Sequence, residues 1–442
     1  MIMKNFVYLI MATVIFSSCE SYVDIDKAPN QLLIADAYKQ DATATSAVLN
    51  IYSDDVTTYS LANFTYLGGV ESDEMLYTQA TTPAITEFAQ AAVSITNANL
   101  VNYLWSYPYS IIAKANVAIN GLTASTTLTT TVKSQLLGES KFFRAFTYFN
   151  LVNYFGDVPL ALTGDPLKDG YLPRASADSV WAQIISDLKD AETLLPAAYT
   201  GTLRTRVNKY AASALLARAY LYTKDYANAE AEASKVIGAT DISYTLSDVS
   251  TAFLNTSNEV IFQIAPTTSW NSFPFLGTYY ISYGQFVLSP SLTASFETGD
   301  KRKTSWTKDS VINKYKMAGG EYNVVLRLAE QYLIRAEARA QLNTNLSGAQ
   351  TDLDSVRARA GLPATTAATQ TTLLTAVAQE RKVELFGEYS HRWFDLKRTN
   401  EANTVIGALK PTTWKSTAVL APIPSAERIK NAALTQNDGY PK

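Results

Sequence analysis

The sequence predicts a mostly α-helical protein: a stack of tetratricopeptide-like helix pairs carrying one irregular, loop-rich lobe with short strands. Three observations lead there. Long stretches place apolar residues three and four apart, the period of one helix face. The stretch Asn208 to Ile237 carries small and large residues at the offsets of a tetratricopeptide unit, with Leu216, Ala217 and Tyr220 followed by Ala229 and Ala233. Between Thr240 and Thr304 the pattern breaks into short β-prone runs, Glu259 to Ile264 and Tyr279 to Val287, separated by proline, glycine and serine.

At the N-terminus, Lys4 precedes an apolar run from Phe6 to Phe16, and Ser17 and Ser18 are small residues of the kind accepted before a processing cut. Residues 1–18 therefore read as a signal peptide. The run is too short to cross a hydrocarbon core of ~30 Å as a helix. Cys19, the only cysteine, follows directly, and Ser-Ser-Cys resembles a bacterial lipobox, so Cys19 is expected to carry the acyl chains of a membrane anchor. Residues 19–40, polar and proline-containing over Glu20 to Asn30, form a tether and N-terminal segment.

Residues 41–240 read as a helical scaffold. Helix begins over Asp41 to Tyr59, and Leu100, Leu104, Tyr107, Ile111, Ala115, Ala118 and Leu122 line one face of a helix within Asn97 to Leu122. A longer helix from Thr131 to Tyr154 stops at Gly156 before Pro159. Ser176 opens the next and Pro196 closes it. The hairpin Asn208 to Ile237 turns around Lys224 and Asp225. Residues 241–320 form the irregular lobe, and 321–442 a C-terminal repeat. There Val325 to Leu342 aligns Ala329, Tyr332, Leu333, Ala336 and Ala340, and Ala349, Leu353 and Val356 mark its partner helix.

Composition narrows the chemistry. Thirty-seven basic against 40 acidic residues give a net charge of −3, which argues against nucleic acid as a partner. One histidine and one cysteine leave no His/Cys cluster for zinc, and no glycine-rich phosphate or dinucleotide loop is present, so no metal and no cofactor is expected. Glu71, Asp73 and Glu74 place acids on one short segment, as a glycosidase requires, but they read better as a turn closing the first helical unit. The compositional excess is 27 tyrosines and six tryptophans, flat apolar faces with polar tips.

Four stretches together resemble the SusD/RagB family of outer-membrane nutrient-binding lipoproteins. They are Glu71-Ser-Asp-Glu-Met75; Asn153-Tyr-Phe-Gly-Asp-Val-Pro-Leu160; the run from Glu380 to Arg398, which contains His391-Arg-Trp-Phe-Asp-Leu-Lys-Arg398; and Leu420-Ala-Pro-Ile-Pro-Ser-Ala-Glu427 with Leu434-Thr-Gln-Asn-Asp-Gly-Tyr440. The resemblance implies a SusD-like fold of four tetratricopeptide-like units with a looped substrate lobe. It implies a non-catalytic protein, lipid-anchored on the outer membrane and facing the exterior. Its partners would be an oligosaccharide ligand and a SusC-like, TonB-dependent outer-membrane transporter that it covers as a lid. A peptide or glycopeptide ligand is the alternative within binding, and a surface glycosidase the alternative from the enzyme class.

In the family, glycan contacts come from the loop after the Ser-Asp-Glu-Met segment, near residues 71–96 here, and from the irregular lobe. The first holds Tyr77, Gln79 and Phe88; the second holds Trp270, Asn271, Tyr279, Tyr283 and Trp306. Trp270 is the leading candidate, set among polar residues in Thr-Thr-Ser-Trp-Asn-Ser, with Tyr77, Tyr279 and Tyr283 next. Phe273 and Phe275 flank Pro274 and read as structural. No tryptophan lies between Tyr77 and Ile95, a departure from starch-binding members. Glu388, Arg392, Asp395 and Arg398 are expected on one helix, pairing along a face while Leu385, Trp393 and Phe394 are buried. His391, within that helix, is expected to be structural.

Overall fold

The computed structural model describes residues 34–53, 55–79, 82–265, 284–316 and 320–442. After a single helical turn at Ile34–Ala37 come helices α1 (Asp41–Ser53) and α2 (Asp55–Glu71). The helix predicted within Asn97 to Leu122 is α3 (Tyr107–Ala124), entered through a π-helical turn over Leu100–Ser106. Then come α4 (Thr130–Phe155), α5 (Ala177–Leu194), α6 (Lys209–Tyr222) and α7 (Tyr226–Ile237). The stops and starts follow the predicted chemistry. Ser176 Oγ accepts from Ser179 N at 3.3 Å, Asn208 Oδ1 from Ala211 N at 2.9 Å and Asp225 Oδ1 from Asn228 N at 3.3 Å, each satisfying an N–H that has no partner within its helix. Lys224 takes the left-handed conformation that turns the hairpin.

The helices form a continuous array in which α3 packs on α4, α4 on α5, α5 on α6 and α6 on α7. The next neighbour of α7 is α8 (Leu328–Leu342), about ninety residues further along the chain. Helices α9 (Leu346–Arg359) and α10 (Gln370–Glu384) complete this end by packing on α8. Alanine makes the close approach possible: Ala211, Ala214, Ala217, Ala229, Ala233, Ala329 and Ala336 are all fully buried. The mostly helical, tetratricopeptide-like architecture is as predicted. One boundary differs. The residues from Val325 to Arg327 are not helical but end a strand, Asn323–Arg327, whose five positions are all buried.

The lobe is an insertion between α7 and α8. Its strand β2 (Val260–Ile264) pairs antiparallel with that last strand, and β1 (Met75–Tyr77) pairs antiparallel with β3 (Phe286–Leu288); Asn323–Arg327 is β4. Beneath these strands lies a buried ion cluster. Arg327, at the junction of β4 and α8, donates to Glu259 (2.9 Å), Glu384 and Glu388 (2.8 Å). Arg302 of the lobe donates to Asp300 (2.9 Å), Glu380 (2.5 Å) and Glu384 (2.8 Å), and Lys314 donates to Glu388 at 2.6 Å. Arg359 pairs with Glu384. Trp306, expected above among the ligand contacts, is instead part of this core. It is 1% exposed, its Nε1 donates to Val249 O at 2.6 Å, and Lys314, Arg327 and Arg359 lie over its ring at 4.6, 5.8 and 5.0 Å. Its indole face serves buried cations and is closed to solvent.

The run from Glu380 to Arg398 is not one helix. Helix α10 ends at Glu384, Gly387, Tyr389 and Ser390 all have positive φ, and a separate short helix α11 (His391–Arg398) follows. Leu385, Trp393 and Phe394 are buried as expected. The charges do not form one ladder. Asp395 does pair with Arg398 at 2.7 Å, but Arg392 reaches Asp73 at 2.6 Å and Glu388 turns to Arg327 and Lys314. The break lets one segment address three regions. Ser390 Oγ contacts Tyr154 OH at 3.1 Å, Lys397 donates to Asn153 O, and Asn437 Nδ2 donates to Phe155 O at 3.0 Å and Ala421 O at 2.7 Å. All four stretches that carry the family resemblance thus meet in one contact network. His391 sits within it, 4% exposed, with burial and then Arg218 and Arg381 holding its imidazole well below the ordinary value.

Two predictions follow from this packing. A Cβ on Gly68 of α2 would stand 2.2 Å from Ser390 Oγ and 2.6 Å from Ser390 Cβ. Overpacking of this kind costs ~1–3 kcal/mol, and the better helix propensity of alanine returns at most ~1 kcal/mol. Gly68→Ala should therefore lower the melting temperature, and adding Ser390→Gly, at a position with φ 59, should restore most of it. An unchanged melting temperature in Gly68→Ala would count against the contact.

The second concerns pH. Burial alone would raise the carboxyl groups of Glu384 and Asp395, but Arg359, Arg327 and Arg302 around the first, and Arg381 and Arg398 around the second, hold both far below the carboxylate range. Their stabilisation is complete above the unfolded value of about 4 and is lost as pH falls through and below it. Glu71 and Glu74 act oppositely. Burial pushes both up to about 8, so their contribution is whole below an unfolded value of about 4.5 and declines as pH rises toward 8. Unfolding in urea across the pH range should give maximal stability between about pH 4 and 5, falling on both sides.

Candidate functional site

Helix α2 ends at Glu71, and a tight turn carries the chain into β1. Ser72 N bonds Gly68 O at 3.0 Å, Ser72 Oγ bonds Gly69 O at 3.0 Å, and Glu74 N donates back to Ser72 Oγ at 3.3 Å. Asp73 is the turn's anchor. Its carboxylate accepts from Arg392 Nε at 2.6 Å, from Ser291 Oγ at 2.9 Å, and pairs with Lys382 at 2.8 Å. Burial would raise this carboxyl, yet Arg392 and Lys382 carry it well below the usual range. Glu71, Asp73 and Glu74 are only 3%, 2% and 2% exposed. The acidic segment thus faces the interior and shapes the backbone.

That turn fixes where β1 lies, and Ser289 fixes its partner. Ser289 N donates to Glu74 O at 2.8 Å and Ser289 Oγ to Asp73 O. The ladder then runs outward as Met75↔Leu288, Leu76↔Val287 and Tyr77↔Phe286, and Thr78 N continues it to Gln285 O at 2.9 Å. Its outer end presents Thr78, Gln79 and Gly284 to solvent, with Gln285 half-buried beside them. Gly284 has φ 56 and nothing within 4 Å of where a Cβ would stand, so glycine is required there by conformation and not by crowding. The two segments expected to carry ligand contacts, more than two hundred residues apart in sequence, are joined by this one ladder.

Among the candidate residues, Gln79 is exposed at the ladder end. Tyr77 is half-buried, its ring 5.6 Å from that of Phe286 and tilted by 39°, and its hydroxyl has no hydrogen-bond partner among the described residues. Phe88 is a correction: in the short helix Pro83–Ala89 it is fully buried with Ile85 in the main core, and it offers no face to a ligand. Trp306 is likewise buried, in the ion cluster. Trp270, Asn271, Tyr279 and Tyr283, and with them Phe273, Phe275 and Cys19, lie outside the described residues. Thr78, Gly284 and Gln285 were not anticipated. Only the strand register reveals them, and β-prone runs alone do not specify a partner.

A second surface stands out. Asn431 Nδ2 donates to Leu172 O at 2.8 Å and holds the C-terminal segment against the loop that follows Pro159. Between them and α3 is a groove of about 590 Å³ lined by Trp105, Ile112, Pro159 and Leu434. Leu167, Tyr171 and Ile429, 82%, 67% and 85% exposed, come from the same two segments.

Comparison with known proteins agrees with this architecture. A family model described as "SusD family" matches residues 279–440, and one described as "Starch-binding associating with outer membrane" matches residues 30–221. The SusD-like protein P2 of Formosa agariphila is 27% identical over 415 residues, covering 77% of this chain and 81% of its own. A SusD superfamily protein of Bacteroides vulgatus superposes with a TM-score of 0.78 at 25% identity, over 91% of this chain and 100% of that one. A structure titled as a laminarin-binding SusD-like protein gives a TM-score of 0.74 at 25% identity, over 90% and 98%. The two family models cover most of the chain between them, and the chain belongs to the SusD/RagB family.

Proposed function

We propose that this protein is a non-catalytic glycan receptor, lipid-anchored through Cys19 on the outer face of an outer membrane, that captures oligosaccharides and delivers them to a SusC-like, TonB-dependent transporter. The observation that carries the reading is the β1–β3 ladder. It brings the loop after Glu74 and the inserted lobe to one place, where Thr78, Gln79 and Gln285 supply hydroxyl and amide groups and Tyr77 an aromatic ring. A saccharide has apolar C–H faces and hydroxyl rims, which call for these two kinds of group. In this reading Trp270, Tyr279 and Tyr283 provide the remaining platform and Asn271 a further amide.

The acids of the Glu71 to Glu74 turn support binding over hydrolysis. A glycosidase needs two carboxyl groups beside the sugar, and these three are buried, with Asp73 occupied by Arg392 and Lys382. The laminarin-binding relative supports a glycan as ligand. Exposed apolar side chains support a protein partner: Leu167, Tyr171 and Ile429 lie in the two segments, around Pro166 to Gly170 and Glu427 to Asn431, that line the groove on α3.

Two experiments test the proposal, with glycan affinity read on the purified full-length protein in detergent and anchoring read by fractionating cells. In the first, Trp270→Ala combined with Tyr77→Ala should weaken binding of the best ligand from a glycan array by at least about tenfold, since each aromatic contact contributes ~0.5–1.5 kcal/mol beyond its buried area. Retained affinity in a variant whose circular dichroism is unchanged would remove this platform. In the second, Cys19→Ala should move the protein from the membrane fraction to the soluble fraction with less than about a twofold change in glycan affinity, because several acyl chains contribute ~0.8 kcal/mol per buried methylene to anchoring and nothing to the ladder. A loss of affinity along with the anchor would refute this separation of tether and site.

A further inference from the structure

We infer that the ligand is an electrically neutral saccharide and that uronate-rich or sulfated glycans are rejected. The inference rests on the glycan-binding reading above and adds the substrate class. Its first basis is where charge is missing. From Met75 to Ala113 the only charged residue is Glu87, and from Val260 to Phe296 there is none, in a chain of which 17% is charged. Burial explains part of the second gap, since β2 is buried throughout and β3 nearly so. The remainder of that gap is rich in serine, threonine and tyrosine, polar residues without charge. A stretch with no lysine, arginine or histidine supplies no cation in any conformation.

The second basis is what becomes of the charges on the elements that hold the ladder. The Glu87 carboxylate is committed to its own loop, accepting from Ser94 N at 2.9 Å, Ser94 Oγ at 2.9 Å and Asn97 Nδ2 at 2.6 Å. Lys382 and Arg392, at the inner base of the ladder, are both paired with Asp73. Lys308 and Asp309 are exposed on the hairpin that meets β3 at Leu288, the end of the ladder away from Tyr77, and they are opposite in sign. The outer end is left with Thr78, Gln79, Gly284 and Gln285, which donate and accept hydrogen bonds without net charge. Such groups match sugar hydroxyls. An anionic sugar brought against them would lose hydration with no cation from either stretch to compensate, and burying an unpaired charge is strongly unfavourable.

Isothermal titration of the full-length protein in detergent against neutral polysaccharides (β-1,3-glucan, starch, galactan) and anionic ones (alginate, polygalacturonate, carrageenan) tests this directly. At least one neutral glycan should bind about tenfold or more tightly than every anionic one. Its affinity should change less than about twofold between low salt and a salt concentration at which the Debye length is only a few ångströms. An anionic glycan bound in preference to all neutral ones, or an affinity that falls about tenfold over that salt range, would overturn the neutral class and leave the receptor reading standing. Binding of no glycan of either kind would overturn the receptor reading, and this inference with it.

Discussion

The position of the lobe depends on one buried carboxylate, Glu384, at the last turn of α10. Arg302, Arg327 and Arg359 all contact its carboxylate, and the backbone carbonyl of Glu384 accepts from Lys314 at 2.7 Å and from Arg327 at 2.7 Å. Arg302 and Lys314 belong to the lobe, Arg359 to the helical array, and Arg327 ends the strand that leads from one into the other. Ions removed from water are tolerated only where several partners converge, and a pair broken inside such a cluster leaves an uncompensated charge whose cost exceeds that of most single contacts. The cluster therefore acts less as glue than as a registration device. Few displacements of the lobe keep every member paired, and Trp306, spread beneath three of the cations, fills the space that water would otherwise enter.

The array was readable from sequence because its rules are local. Helix period, the caps at Ser176, Asn208 and Asp225, and alanine spacing at Ala217, Ala229 and Ala233 each act within a few residues, and each appears in the structure where the pattern put it. The misreadings have the opposite character. Val325 to Arg327 is helical by pattern but is drawn into a strand by β2, a partner some sixty residues away. The run to Arg398 has helical spacing throughout, and the positive-φ residues Gly387, Tyr389 and Ser390 divide it, the last two in a conformation that local propensity disfavours. Trp306, expected among the ligand contacts, follows Lys301, Arg302 and Lys303, and is drawn into the core with Arg302, which is buried among Asp300, Glu380 and Glu384. Long-range pairing overrode local preference in each case.

The same distinction applies to the candidate site. Aromatic residues in polar surroundings could be picked out from the chain, and Tyr77 and Gln79 do stand at the ladder. Phe88 could not be separated from them, because the residues that bury it, including Ile85 beside it on the same helix, are visible only in the folded core. The backbone groups of Gly284 and Gln285 carry no side-chain signal that would mark them. What the sequence did mark, the four family stretches, turned out to be the framework: they clasp one another through Asp73, Tyr154, Ser390, Arg392 and Asn437, and the ladder projects from that framework.

The insertion of the lobe between two helices that remain neighbours has an evolutionary corollary. Since α7 and α8 pack together whatever lies between Ile237 and Leu328, the segment can change in length and composition while the stack on either side persists. The closure entropy of a flexible connection grows only slowly, by ~0.6 kcal/mol for each doubling of length, so natural selection can lengthen, shorten or replace the inserted segment at little thermodynamic penalty. The requirement such exchange must respect is narrow: a strand to pair with β1 and the basic side chains that meet Glu384. Change in the lobe is then the exchange of a single cassette on a chassis that stays as it was.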